Sequence, residues 1–283
     1  MKNRYTWIIM ILILAMPLCL AQGEGTVFSL KDITYTVDSV YFDGQVAEVR
    51  VLQTAVQPDT ALVDALSYKP KGTESPMSDA YALASNVIGS YCEMTCATVD
   101  GKYKDILYSL GHGFASGIEM DATFYWWMPY GEELEEAEVH VTVGSRTKEA
   151  EEYDEMRTFP LRLSKTAEPL LHQQMDLELE EIHIKQITVC RTPQVLTLRV
   201  YYRPGPQAND PSFTVATADG TALGPMMMND KRKVDGQTDM MEREFCFSLE
   251  ENQQLPEALL LKYSGKSPAK LLLDLQKNTV ELQ

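Results

Sequence analysis

The sequence predicts an all-β fold: two β-sandwich domains in tandem, the first carrying a long, partly helical insertion. Two observations predict it. Apolar and polar residues take turns over many short runs, as in Val46–Leu52, where Ala47, Val49 and Val51 alternate with Glu48 and Arg50. That period of two marks a strand with one face in a core and the other in water. The stretch from Asp32 to Leu52 also aligns without gaps to the stretch from Glu181 to Tyr201, so that Ile33 meets Ile182, Val46 meets Val195, Arg50 meets Arg199 and Val51 meets Val200. A duplicated strand–turn–strand unit is the simplest reading.

The elements follow in order. Lys2 and Arg4 precede an apolar run from Trp7 to Leu20, and the small residues Cys19 and Ala21 precede a polar Gln22-Gly23-Glu24. This is the pattern of a signal peptide over residues 1–21, cleaved after Ala21; Leu18 is too bulky for lipid anchoring at Cys19. The first domain is expected over 22–165. Its opening hairpin turns at Asp43-Gly44, and Glu138–Val143 and Phe159–Leu163 supply later strands, with Pro160 suggesting an edge. Between them lies an insertion at about 57–131, in which Ser78 caps a short helix running toward Ser90. A weakly patterned linker, 164–174, leads to the second domain, 175–283. There the hairpin turns at Thr192-Pro193, and Phe213–Val215, Glu244–Leu249, Leu259–Tyr263 and Leu271–Leu275 are further strands. No second apolar run reaches the length needed to span a bilayer, so the mature chain is expected to lack a spanning segment.

Charge narrows the partners. The chain carries 25 Lys and Arg against 41 Asp and Glu, a net −16. Loss of residues 1–21 removes Lys2 and Arg4 and no acid, leaving 23 against 41 and a net −18. Phosphate backbones repel such a surface, which argues against nucleic acid. Four cysteines remain after cleavage: Cys92, Cys96, Cys190 and Cys246. An even number in an exported chain suggests disulfides. Three pairings are open, and Cys92–Cys96 with Cys190–Cys246 is the most economical because each bond stays within a domain. Reduced thiols are the alternative. Zinc is not expected, because no second pair or nearby histidine completes a tetrahedral set.

No stretch carries a catalytic or metal signature. Tyr108–Gly117 combines glycines with Ser109 and His112, but has neither a phosphate-loop lysine nor the spacing of a nucleophile elbow. Glu132–Glu136 and Glu149–Glu155 are acidic runs without a calcium-loop motif and read as solvated surface. Met226-Met227-Met228 reads as a loop. The densest aromatic cluster is Phe124–Tyr130. On a strand, Phe124, Trp126 and Met128 face one way and Tyr125 and Trp127 the other, so Tyr125, Trp127 and Tyr130 are candidate ligand-binding residues on an exposed platform; packing against the insertion explains the same residues without any ligand and is the stronger of the two readings.

The residues Ile33–Gly44 followed by a strand, together with Phe213–Val215 and Asp219–Leu223, resemble the immunoglobulin-like extracytoplasmic modules of Firmicutes anti-sigma-like membrane proteins. The resemblance implies immunoglobulin-like sandwiches. Such proteins carry a cytoplasmic segment and a spanning helix ahead of the modules, whereas here a signal peptide stands in that place. The resemblance therefore brings neither sigma-factor control nor catalytic residues. The expected function is non-enzymatic binding or recognition outside the cell or at its surface, with a protein or glycan partner and no cofactor. Two alternatives stand beside it: a hydrolase or metal-dependent enzyme with its site in the 57–131 insertion, and a structural spacer.

Overall fold

The computed structural model describes residues 21–64, 86–99, 102–104, 114–116, 119–128, 130–131, 133–147, 154–205, 212–218, 223–234, 236–250 and 253–283, and every regular element among them is a strand. The chain up to Ser164 supplies β1 (Ala21–Gln22), β2 (Val27–Ser29), β3 (Ile33–Phe42), β4 (Val46–Ala55), β5 (Thr60–Asp64), β6 (Asn86–Val99), β7 (Lys102–Lys104), β8 (Phe114–Ser116), β9 (Glu119–Trp127), β10 (Glu136–Thr147) and β11 (Glu155–Ser164). They form one sheet in the order β1-β11-β10-β6-β5, with β7 paired to β6, and a second in the order β2-β3-β4-β9-β8. The rest supplies β12 (Leu171–Leu179), β13 (Ile182–Arg191), β14 (Val195–Pro204), β15 (Ser212–Thr217), β16 (Met226–Lys233), β17 (Met241–Ser248), β18 (Ala258–Ser264), β19 (Ala269–Asp274) and β20 (Thr279–Leu282). Its sheets run β12-β13-β14-β17-β16 and β15-β18-β19-β20. The fold is all-β, a tandem of immunoglobulin-like sandwiches.

The expected helix in the insertion is corrected. Residues 65–85, which hold most of it, lie outside the described residues, but Asn86–Ser90 open β6, which pairs in parallel with β5 and antiparallel with β10. Val87 and Ile88 are β-branched, and two flanking ladders offer their backbone more hydrogen bonds than a single helical turn does. Met226–Met228 is likewise corrected from loop to strand, because β17 supplies a ladder partner from Met241 to Phe247.

The duplication is carried by the backbone. β3 and β13 share bounds at an offset of 149 residues, and so do β4 and β14. The two sheets that hold the hairpins, β2-β3-β4-β9-β8 and β12-β13-β14-β17-β16, correspond strand for strand, with β9 and β17 each lying beside the second hairpin strand. Two hydrogen bonds recur in both hairpin turns. Asp43 N donates to Val46 O at 3.2 Å and Thr192 N to Val195 O at 2.9 Å. Val46 N donates to Asp43 Oδ1 at 2.7 Å and Val195 N to Thr192 Oγ1 at 3.0 Å. Different residue types, a carboxylate and a hydroxyl, close the same side-chain turn. Just past the neighbouring strand, Met128 N donates to Gln45 O and Leu249 N to Gln194 O, both at 2.8 Å. The first turn alone needs a glycine: Gly44 has φ +84°, and a Cβ there would meet Leu134 O at 2.9 Å.

The chain divides into two compact units that do not follow the sequence halves. Unit one runs to Val40 and takes in Val49–Trp126 and Glu136–Ser164; unit two takes in Tyr41–Glu48, Trp127–Glu135 and Lys165–Gln283. In unit one the sheets are tied by a polar bridge through the core. Buried Tyr35 on β3 donates its hydroxyl to Gly144 O at 2.7 Å and lies 3.0 Å from Ser90 Oγ, which donates to Gln53 Oε1 at 2.5 Å. In unit two the inner faces meet in an apolar core built from Ile187, Val189, Leu198, Val200 and Phe245 on one sheet and Leu259, Leu261, Leu271 and Leu273 on the other.

The disulfide expectation is also corrected: Cys92, Cys190 and Cys246 are free thiols. The register gives the reason for the second pair. Cys190 pairs with Thr197 across β13–β14, and Thr197 pairs with Cys246 across β14–β17. The cysteines therefore lie in one row of one sheet with a strand between them, about 9.6 Å apart at two strand spacings. A disulfide needs Cα atoms within about 7 Å. The side chain of Cys96 lies outside the described residues. When the unreduced protein is denatured and alkylated, Cys190 and Cys246 should each take the label; a cross-linked 190–246 peptide in the mass map would overturn this row.

Candidate functional site

The aromatic platform is not presented to solvent. β9 has both faces covered: Phe124, Trp126 and Met128 are buried as expected of a core face, but Tyr125 and Trp127, on the opposite face, are only 1% and 2% exposed. Tyr130 is half-buried and tilts against Tyr201, with ring centroids 5.0 Å apart. The structure thus uses Tyr125 and Trp127 as packing and Tyr130 as part of a cover. His112 and the residues around it lie outside the described residues.

What the structure brings together instead is a buried polar layer in unit two, on the face of the β12–β16 sheet that points away from its apolar core. Alternation dictates which residues reach it. Because Leu196, Leu198, Val200 and Tyr202 point into the core, Thr197, Arg199 and Tyr201 must point the other way, beside Glu242, Glu244 and Cys246 on β17 and Thr188 and Cys190 on β13. Residues 41–48 and 127–135 lie over this face. Arg199 Nη1 donates to Met128 O at 2.7 Å, and the Asp43 carboxyl takes the thiol hydrogen of Cys190.

At the centre Arg199 is 2% exposed and donates from Nε to Glu242 Oε1 at 2.5 Å. Arg232 on β16 closes the cluster from the side, donating to Glu242 Oε2 and Oε1 and to Glu244 Oε2, each at 3.0 Å. Two guanidinium groups and two carboxylates thus compensate one another, Arg199, Glu242 and Glu244 almost wholly covered and Arg232 reaching the surface, as a buried charge requires. The two acids respond differently. Burial pushes Glu242 up, but Arg199 and Arg232 outweigh burial and hold its carboxyl below the ordinary glutamate range. For Glu244 burial wins and the carboxyl is raised. The surrounding thiols are raised by burial too, Cys190 and Cys246 alike. A thiol kept protonated is a poor nucleophile and a poor metal ligand.

Lys165 forms a smaller lock in unit two. Its ammonium, almost covered, donates to Glu133 Oε1 at 2.8 Å and reaches Glu168 Oε2 at 2.7 Å. The acidic run at 132–136 therefore anchors a lysine through Glu133. Among the described residues no group of three or more His, Cys, Asp or Glu is placed to hold a metal ion. None is a helix long and apolar enough to cross a membrane.

Sequence reasoning missed this layer. Arg199 was visible as one polar position of an alternating strand, and such positions normally face water. The one signal available was the density of charge across β17, where Glu242, Arg243 and Glu244 precede the buried Phe245.

No protein-family model matches the chain, and no curated protein does. Among solved structures it is similar to a conserved domain protein from Bacillus anthracis, at 11% identity over 92% of this chain and 84% of that one, with a TM-score of 0.48. It is also similar to a marsupial T cell receptor, at 8% identity over 87% of this chain and 95% of that one, with a TM-score of 0.23. Neither name carries an activity over to this chain.

Two outcomes follow from the buried layer. Glu242→Gln leaves Arg199 without its charge partner and should cost about 3–5 kcal/mol in urea unfolding, the range for breaking a buried pair. For Glu244, whose folded pKa lies above its unfolded one, the folded state holds the extra proton. Its contribution to stability is therefore largest at acid pH and is lost as pH rises through the folded value. Glu244→Gln should remove that decline, and an unchanged slope of stability against pH would contradict the assignment.

Proposed function

We propose that the chain is an exported, non-enzymatic binding protein of the cell envelope that recognises a protein or glycan partner. The observation behind this reading is the use made of the ionisable groups at the buried layer. Arg199, Arg232, Glu242 and Glu244 are committed to one another, and the neighbouring thiols stay protonated. That chemistry holds a sheet and its cover in register. Contact with a partner then falls to the surface.

The surface feature that best supports recognition is strand β16, at the edge of its sheet. Met226 is 54% exposed and Met227 37%, and Lys231 and Lys233 follow them on a chain whose overall charge is strongly negative. An edge strand offers its backbone to an added strand, while neighbouring side chains select which one. Thioether side chains adapt to irregular apolar surfaces, and the lysines favour an acidic partner.

Immobilised mature protein incubated with envelope extracts, separated into protein and polysaccharide fractions, should retain a partner. The double variant Met226→Glu, Met227→Glu should release it while keeping the wild-type unfolding midpoint. A clean miss in both fractions overturns the reading.

A further inference from the structure

The duplication has left the two copies of one hairpin tip in opposite conditions. In the first copy Phe42–Val49 is buried throughout, with Asp43 at 0% and Gln45 at 2% exposure. This tip, with the segment after β9, covers the polar face of the β12–β16 sheet within unit two. In the second copy the tip closes through the matching hydrogen bonds of Thr192 N and Val195 N, yet Pro193 and Gln194, which occupy the positions of Gly44 and Gln45, are exposed. The segment after β17 has the same attachment as its counterpart: Lys165 N donates to Glu135 O and Leu275 N to Glu257 O, both at 2.9 Å. Glu250, Gln254 and Glu257 on that segment are exposed as well.

The receiving face shows the reverse asymmetry. Arg199 and Glu242 under the first tip have side chains 3% and 4% exposed. Their counterparts in unit one are Arg50 on β4 and Asp121 on β9, joined by an ion pair at 2.8 Å between side chains 39% and 20% exposed. Asp38, 3.3 Å from Arg50, is 46% exposed. Leu52, at the position of Tyr201, is only half-buried. One chain therefore carries a covered plug with its covered socket, and a more exposed copy of each.

From this we infer that the chain associates head to tail with a second copy of itself, the 191–194 tip with residues 249–250 and 253–257 of one copy seating on the Asp38–Arg50–Leu52–Asp121 face of the next. Both surfaces carry both signs, Arg191, Glu250 and Glu257 on the plug and Asp38, Asp121 and Arg50 on the face, so opposite charges are available in both directions. Plug and socket are different surfaces, so the contact is heterologous and leaves an open surface at each end of every assembly, which extends a filament unless the rotation closes a ring. The large net negative charge opposes association, so added salt, by screening that repulsion, strengthens it. The inference concerns self-association and does not rest on any external partner.

Sedimentation equilibrium of the mature protein across a concentration series, at low and moderate salt, tests it. The weight-average mass should rise with concentration, more steeply at moderate salt. Pro193→Glu with Gln194→Glu on the plug, and Arg50→Gln on the socket, should each weaken self-association at least about tenfold. Both variants should keep the wild-type circular dichroism spectrum, and Leu52→Glu replaces Arg50→Gln if the latter unfolds. Mixing the plug variant with the socket variant should give growth that stops at a dimer, because one intact plug and one intact socket remain. A monomer at every concentration and salt overturns the inference. So do assemblies that survive both variants, or a mixture that forms no dimer.

Discussion

The constraint on which much of unit two depends is the burial of the Arg199 guanidinium. A sheet strand places its side chains alternately on two faces, so a β14 that sends Leu198 and Val200 into an apolar core must send Arg199 to the other side. A fully covered arginine cannot shed its charge and must be matched where it stands. Glu242 meets it from the adjacent strand, Arg232 and Glu244 extend the match, and the main-chain oxygen of Met128 takes a further hydrogen. The cover formed by residues 41–48 and 127–135 is what makes this matching necessary. On the β4 face Arg50 keeps access to water, and an exposed ion pair of that kind contributes far less.

The comparison between copies shows how a duplicated element diverges in chemistry while keeping its geometry. Both hairpins close through a side-chain oxygen that accepts the backbone hydrogen three residues on, yet one uses Asp43 and the other Thr192. The carboxylate stands in the buried copy, where Tyr41 and the Cys190 thiol also approach it. Burial raises its pKa, and the two backbone donors pull it back toward the charged form. The hydroxyl stands in the copy whose tip faces solvent. Thr192 is itself buried like Asp43, and it is at Pro193 and Gln194, against Gly44 and Gln45, that the exposure of the two tips differs.

Much of the fold is legible in the residues. Ala47, Val49 and Val51 against Glu48 and Arg50 mark β4, and the same alternation marks β10, β14 and β17, because a strand at the boundary of a core writes its two environments into successive positions. The residues are less explicit where both faces are covered. Phe124–Trp127 is apolar on every position, which fits a strand with two packed faces as well as one with an exposed aromatic row, and the structure chose the first. Cys190 and Cys246 each lie on a recognisable strand, but whether two strands face each other across a core or lie in one sheet depends on pairing order. Here β14 stands between them.

By itself the sequence determined the strands, the two sandwiches and the repeated hairpin, since each is a local pattern of side chains relative to a core or a turn. Only the tertiary structure decided that 41–48 and 127–135 fold into unit two, that Arg199 is buried while Arg50 is not, and that Cys190 and Cys246 never meet. Those outcomes depend on which surfaces come together over long sequence separations. Alternation says that a side chain leaves the core; it does not say whether water or another part of the chain waits on the far side.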